Sequence, residues 1–156
     1  MNMKILGLPQ TETKENIELL NVLLSNFQVY YQNLRGLHWN IRGKRFFELH
    51  VKFEELYNQA QLRIDEIAER VLTLGGTPLH TFEDYLKNNK LKVAKNITND
   101  DEAVEMIVQS LAELLVIERD LLERAGAIND EGTNSMMSDL ITEQEKQIWM
   151  MQAFLG

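Results

Sequence analysis

His38-Trp39-Asn40-Ile41-Arg42-Gly43, then Lys44-Arg45-Phe46-Phe47-Glu48-Leu49-His50-Val51-Lys52-Phe53-Glu54-Glu55-Leu56-Tyr57, and on through Ile64-Asp65-Glu66-Ile67-Ala68-Glu69-Arg70, is the stretch whose reading decides the fold. It holds two of the three histidines. From Arg45 to about Leu74 no glycine or proline interrupts it, and Phe, Leu, Val, Ile and Ala recur at three- and four-residue steps. That periodicity predicts one long helix.

On this helix His50 and Glu54 are four residues apart, as are Asp65 and Glu69. At roughly 100° per residue, all four side chains fall within an arc of about 100° and share one face. Glu54 and Asp65 are nevertheless separated by about 16 Å along the axis, whereas a metal ligand reaches only about 2 to 2.6 Å. One chain therefore cannot close one site from both pairs. Two chains can, if a second copy of the helix lies antiparallel across a two-fold axis near its middle. His50 and Glu54 of one subunit then face Asp65 and Glu69 of the other, and symmetry makes two such sites. His38 ends the preceding helical pattern, and a tight turn through Gly43 folds it back over His50 and Glu54. A carboxylate pair at this spacing is ordinary on a solvated helix face, but the five residues together are more specific. Two imidazoles and three carboxylates suit iron(II) or another first-row divalent ion better than calcium or a structural zinc site. The imidazoles must be neutral to bind, so metal binding is expected to weaken below about pH 6.

Outward from this stretch the chain reads as all-α. Residues 1–12 are expected to form a short arm that packs Ile5, Leu6 and Leu8 on a neighbour or on its own bundle. Ile17, Leu20, Leu24, Phe27, Tyr31 and Leu34 place a first helix over Thr13 to about Leu37. The long second helix ends at Gly75-Gly76, before Pro78. Residues 77–99 form a long connection with a short helix at Phe82-Glu83-Asp84-Tyr85-Leu86, and His80 lies in a surface loop before it. Asn99, with Asp100 and Asp101 after it, starts a third long helix running to Ala125-Gly126, and a fourth begins near Asp130. The pattern is a four-helix bundle whose long connection makes the second and third long helices parallel. Asp130, Glu131 and Asp139 are open to two readings, acids that stabilise a helix N-terminus or the lining of a pore. Trp39 reads first as a core residue and, beside His38, alternatively as an electron donor. The seven methionines read as flexible core filling.

The 156 residues fit one domain spanning 1–156, with the 44% apolar and 26% charged composition of an ordinary globular protein. There is no cysteine, so disulfides, thiolate zinc sites and cysteine nucleophiles are excluded and a cytoplasmic setting is expected. Neither a signal peptide nor a membrane span is expected. A net charge of −8 disfavours binding to a phosphate backbone, despite the small basic group Arg35, Arg42, Lys44 and Arg45.

At His38-Trp39-Asn40, Gly43, Phe47, Leu49-His50, Phe53-Glu54-Glu55-Leu56-Tyr57, Asp65-Glu66-Ile67-Ala68-Glu69-Arg70 and Gly75-Gly76-Thr77-Pro78, the sequence resembles the Dps family. These are small ferritin-like iron-storage and DNA-protection proteins of bacteria and archaea. The resemblance implies a ferritin-like four-helix bundle with a short extra helix in the long connection between the second and third helices. It also implies a ferroxidase site between subunits, with His38, His50 and Glu54 from one chain and Asp65 and Glu69 from its partner. Iron is the implied metal, with zinc a possible occupant of the same site. Hydrogen peroxide is the implied oxidant, ahead of dioxygen, and the ferric product is stored in a hollow homo-dodecamer. Glu54 departs from the many family members that carry Asp, which keeps the carboxylate and changes its reach. The family's DNA-binding members use a long basic N-terminal extension, whereas this chain has only Lys4 and Lys14 there, so DNA binding is not expected. A non-enzymatic DNA-compacting protein is the alternative reading. A classical ferritin site, built on Glu-x-x-His within one bundle, is argued against by Arg35, Phe47 and Thr77, which stand three residues before the three histidines.

Overall fold

Four long helices and one short one make up most of residues 5–156, the part of the chain described by the computed structural model. They are α1 (Gln10–Asn40), α2 (Phe46–Thr73), α3 (Phe82–Asn88), α4 (Asp100–Ala127) and α5 (Glu131–Leu155), with no strand among the described residues. Cross-helix contacts fix their directions. Tyr31 meets Tyr57, so α1 and α2 are antiparallel. Arg119 reaches Glu145 and Asn134 reaches the Leu122 carbonyl, so α4 and α5 are antiparallel too. Arg45, at the start of α2, pairs with Asp100 at 2.7 Å and Asp101 at 2.5 Å at the start of α4, so these two helices run parallel, as the long connection requires. The same guanidinium lies 4.3 Å over the Phe154 ring at the end of α5. One arginine thereby gathers three helix ends.

The first helix begins at Gln10 and not at Thr13. Pro9 takes the N-cap position in extended geometry, and its missing N–H costs nothing where the first N–H groups have no helical partner anyway. Thr13 is instead buried one turn in, its hydroxyl donating to the Pro9 carbonyl. Within the expected arm, Met1–Lys4 lie outside the described residues, Ile5 and Leu6 are exposed, and Leu8 alone packs against this chain's own core. At the far end of α2 the Gly75 and Gly76 amides return to Leu72 and Val71 at 2.9 Å each, a Schellman close in which Gly75 takes φ +84°. The caps at Asn99 and Asp130 stand where the sequence places them, accepting from the Glu102 and Thr133 amides. Asp130 is buried against Arg70, which bonds it and Thr133 together, so this acid serves the helix start and not a pore. Glu131 and Asp139 are exposed. Among the methionines, Met137 and Met151 fill the core while Met150 faces out.

Three asparagines of α1 hold the connection between α2 and α4. Asn21 accepts from the Leu79 amide and donates to the Thr77 carbonyl. Asn26 does the same for Lys90 and Asn88, and Asn33 for Ala94 and Lys92. A primary amide carries a donor and an acceptor side by side, so each substitutes for a strand partner along an irregular segment. Asn33→Ala should therefore cost about 2 kcal/mol, because it strands two polar groups in partial burial. A lower urea midpoint, with faster hydrogen exchange at the Ala94 amide than at amides within α1, is the expected result.

Candidate metal centre

The turn between α1 and α2 determines where the histidines go. The α1 backbone leaves helical geometry at Ile41, the Arg42 amide is held by the Thr98 carbonyl at 3.1 Å, and Gly43 adopts φ +121°, which a side chain would strain. α2 then starts at Phe46 and runs back along α1. The His38 and His50 rings stack with centroids 3.7 Å apart and planes 18° from parallel.

The two rings are locked by an exchange. His38 Nδ1 lies 2.7 Å from the His50 carbonyl oxygen, and His50 Nδ1 lies 2.9 Å from the His38 carbonyl oxygen. A carbonyl oxygen only accepts, so each Nδ1 carries the proton, and in the neutral ring each Nε2 keeps its lone pair for a metal. This is the arrangement in which a backbone carbonyl fixes the tautomer and orientation of a metal-binding imidazole. Phe46 also stacks on His50 at 4.9 Å, and the Tyr57 ring meets His38 edge-on at 5.4 Å. His38 is buried and His50 half-buried. The Tyr57 hydroxyl is raised above its usual range, first by burial and then by the Glu54 carboxylate beside it.

Glu54, Asp65 and Glu69 are all exposed, and none of them takes part in an ion pair among the described residues. Carboxylates next to them are used differently. Glu55 pairs with Lys52 at 2.9 Å and Glu66 with Arg63 at 2.7 Å. Within one chain, no three His, Asp or Glu side chains among the described residues converge on a point that could hold a metal. The structure thus brings His38 to His50, leaves Glu54 one turn further along α2, and keeps Asp65 and Glu69 apart from them. Phe46 and Tyr57 escaped the residue-by-residue reading. Their spacing was the available signal, Phe46 four residues before His50 and Tyr57 three after Glu54.

Trp39 is not a core residue. It is 57% exposed, with the Arg35 guanidinium 4.8 Å over its ring, because α1 continues to Asn40 and turns residue 39 outward when residue 38 points in. Of the small basic group, Arg35 is thereby engaged with aromatic rings and Arg45 with Asp100 and Asp101, while Arg42 and Lys44 are exposed. His80 lies exposed in its loop, its Nδ1 3.0 Å from the Pro78 carbonyl. No helix among the described residues is long and apolar enough to cross a membrane.

An all-α bundle with a short helix in its long second connection, and a histidine and carboxylates on one face of α2 beneath a second histidine from α1, defines the ferritin-like class. The Ferritin-like domain family matches residues 17–156. The crystal structure of a Dps protein from Vibrio cholerae, described as a member of a broad superfamily of ferritin-like diiron-carboxylate proteins, superposes with a TM-score of 0.94. It is 48% identical and the match covers 96% of this chain and 94% of that one. A DNA protection during starvation protein from Porphyromonas gingivalis is 38% identical, over 97% of this chain and 96% of its own length. An uncharacterised Haemophilus influenzae protein is 46% identical, over 98% and 96% respectively. The chain belongs to the Dps family.

The reciprocal lock makes one prediction independent of any metal. Solid-state ¹⁵N spectra of histidine-labelled protein at neutral pH should show His38 and His50 as Nδ1–H tautomers, against the Nε2–H form that predominates for free imidazole side chains. A His50→Ala variant, which keeps the residue-50 carbonyl, should leave His38 in the same Nδ1–H state.

Proposed function

We propose that the protein is a ferroxidase and iron-storage mini-ferritin whose metal sites form between two subunits. His38, His50 and Glu54 of one chain and the partner subunit's Asp65 and Glu69 hold iron(II), which is substrate and cargo. The observation that carries this reading is the histidine exchange. It turns the Nδ1 of both imidazoles to backbone carbonyls and leaves each Nε2 for a metal, while three carboxylates without an ion pair among the described residues stand on α2. The exposed apolar residues of α2 support a second copy lying there. Phe47, Val51, Leu62 and Leu72 are each more than half exposed. By helical geometry they fall within about the same 100° to 120° arc as the four ligand positions of α2. Large apolar side chains grouped on one face mark an association surface.

Each iron(II) gives up one electron, and two electrons reduce one hydrogen peroxide to two hydroxides, so the chemistry needs neither a protein nucleophile nor a general base. The protein's part is to desolvate the ion, hold it with few ligands, and keep the imidazoles in the right tautomer. Hydrogen peroxide is proposed as the preferred oxidant over dioxygen, with the ferric oxide stored in a hollow dodecamer, in the cytoplasm. Zinc is a competing occupant of the same ligands. The whole chain, 1–156, acts as one domain. DNA compaction is disfavoured by the charge of −8 per chain.

Mixing experiments test the two-chain site directly. His50→Ala and Asp65→Ala should each lose most of the rapid peroxide-dependent iron(II) oxidation. Reassembly of equal amounts of the two dissociated variants should recover about a quarter of the wild-type sites, since half of the pairs are mixed and each mixed pair has one intact site of two. Recovery of nothing would show that the ligands come from one chain. Wild-type protein that fails to accelerate the oxidation would overturn the ferroxidase reading itself.

A further inference from the structure

The centre of the bundle holds a polar cluster that the metal face does not use. Glu118 of α4 is 0% exposed, Gln144 of α5 4%, and Tyr30 of α1 4%. Gln144 Nε2 donates to Glu118 Oε1. The remaining polar atoms of this group, Glu118 Oε2, Gln144 Oε1 and the Tyr30 hydroxyl, are buried without a hydrogen-bond partner.

These unmatched atoms are complementary once a proton is counted. An ionised carboxylate only accepts, and so does an amide oxygen, so Glu118 Oε2 and Gln144 Oε1 have nothing to exchange. With a proton on Oε2 the acid donates to the amide oxygen while the amide NH₂ donates to Oε1, and the two groups pair at two points. The amide oxygen keeps a second lone pair. A cavity of about 20 Å³ lies alongside, with Tyr30, Gln59, Arg63, Glu143 and Gln144 in its wall. One water needs about 10–15 Å³ and two or more polar partners.

We propose that the bundle centre is a built site for one proton and one water molecule. The Glu118 carboxyl is held as the neutral acid against the Gln144 amide, and the water joins the Tyr30 hydroxyl to Gln144 Oε1. Burial pushes the Glu118 carboxyl up to about 8; its bond from Gln144 opposes this, Glu143 reinforces it and Arg119 opposes it weakly. The surrounding charges are mostly spoken for. Glu143 of α5 is paired with Arg63 of α2 at 2.5 Å, Arg119 of α4 with Glu145 at 2.6 Å, and α1 contributes only the uncharged Tyr30. Tyr30 is itself pushed up, by burial and then by Glu143. Because the ordinary value for glutamate is 4.5, between there and about 8 the folded chain keeps a proton that the unfolded chain has released. Stability from this group is therefore greatest at the acid end of that window and is lost as pH rises through it.

Glu118→Gln tests the proton, since the second amide keeps both pairing points and cannot ionise. The variant should melt close to wild type near pH 5 and above it near pH 8.5, with the gap opening across the window. Wild-type protein with isotope-labelled glutamate should show an infrared carboxylic-acid band at pH 6 to 7 that the variant lacks. A high-resolution crystal structure should place one water between Tyr30 and Gln144, absent from Tyr30→Phe. A wild-type protein without the acid band, or a gap that does not change with pH, would overturn the proton. A dry cavity would overturn the water. The wild-type infrared titration stands even if the variant fails to fold, and none of these readings depends on iron.

Discussion

Two hydrogen bonds, each from an imidazole Nδ1 to the other histidine's backbone carbonyl, do more than orient two rings. They cross the turn between α1 and α2, so the ring positions and the approach of the two helices are a single geometric fact. They also give the helix-end carbonyl of His38, which has no amide four residues ahead to bond it once the chain leaves α1 at Ile41, a partner of its own. The site and the fold are satisfied by the same donors. Gly43 permits the turn, Arg45 pins the restart of the chain, and Phe46 stacks on the ring that α2 delivers.

Much of this was legible in the sequence because helical spacing is a local property. The long uninterrupted run after Arg45, the double glycine at its end and the caps at Asn99 and Asp130 each announce themselves within a few residues. The shared face of His50, Glu54, Asp65 and Glu69 follows from arithmetic on the same period, as does the impossibility of one chain closing the site. What was not legible depends on partners remote in sequence. Asn21, Asn26 and Asn33 read as ordinary polar positions of α1, and only the packed chain shows each meeting a backbone segment more than 55 residues away. Trp39 was misplaced because an aromatic beside a buried histidine suggests a core residue. The extra turn of α1 puts it in solvent under Arg35 instead.

Polar chemistry is thus divided between two places with opposite electrostatics. On the outer face of α2 the carboxylates of Glu54, Asp65 and Glu69 stand exposed to water. In the bundle centre Glu118 is deprived of water and lies near another acid, where ionisation is expensive. No histidine lines the cavity, and Arg63 occupies part of its wall, which makes it inhospitable to a divalent ion. The same side-chain type, glutamate, is a ligand candidate in one setting and a neutral hydrogen-bonding group in the other.

The separation of the two half-sets along α2 has a consequence for timing. A chain that carries His50 and Glu54 at one place and Asp65 and Glu69 about three turns further along α2 cannot serve one ion with both pairs while it is alone. In the proposed two-subunit site, its grip on metal would be a function of how often it meets another copy, and a newly made subunit would stay chemically quiet until that encounter.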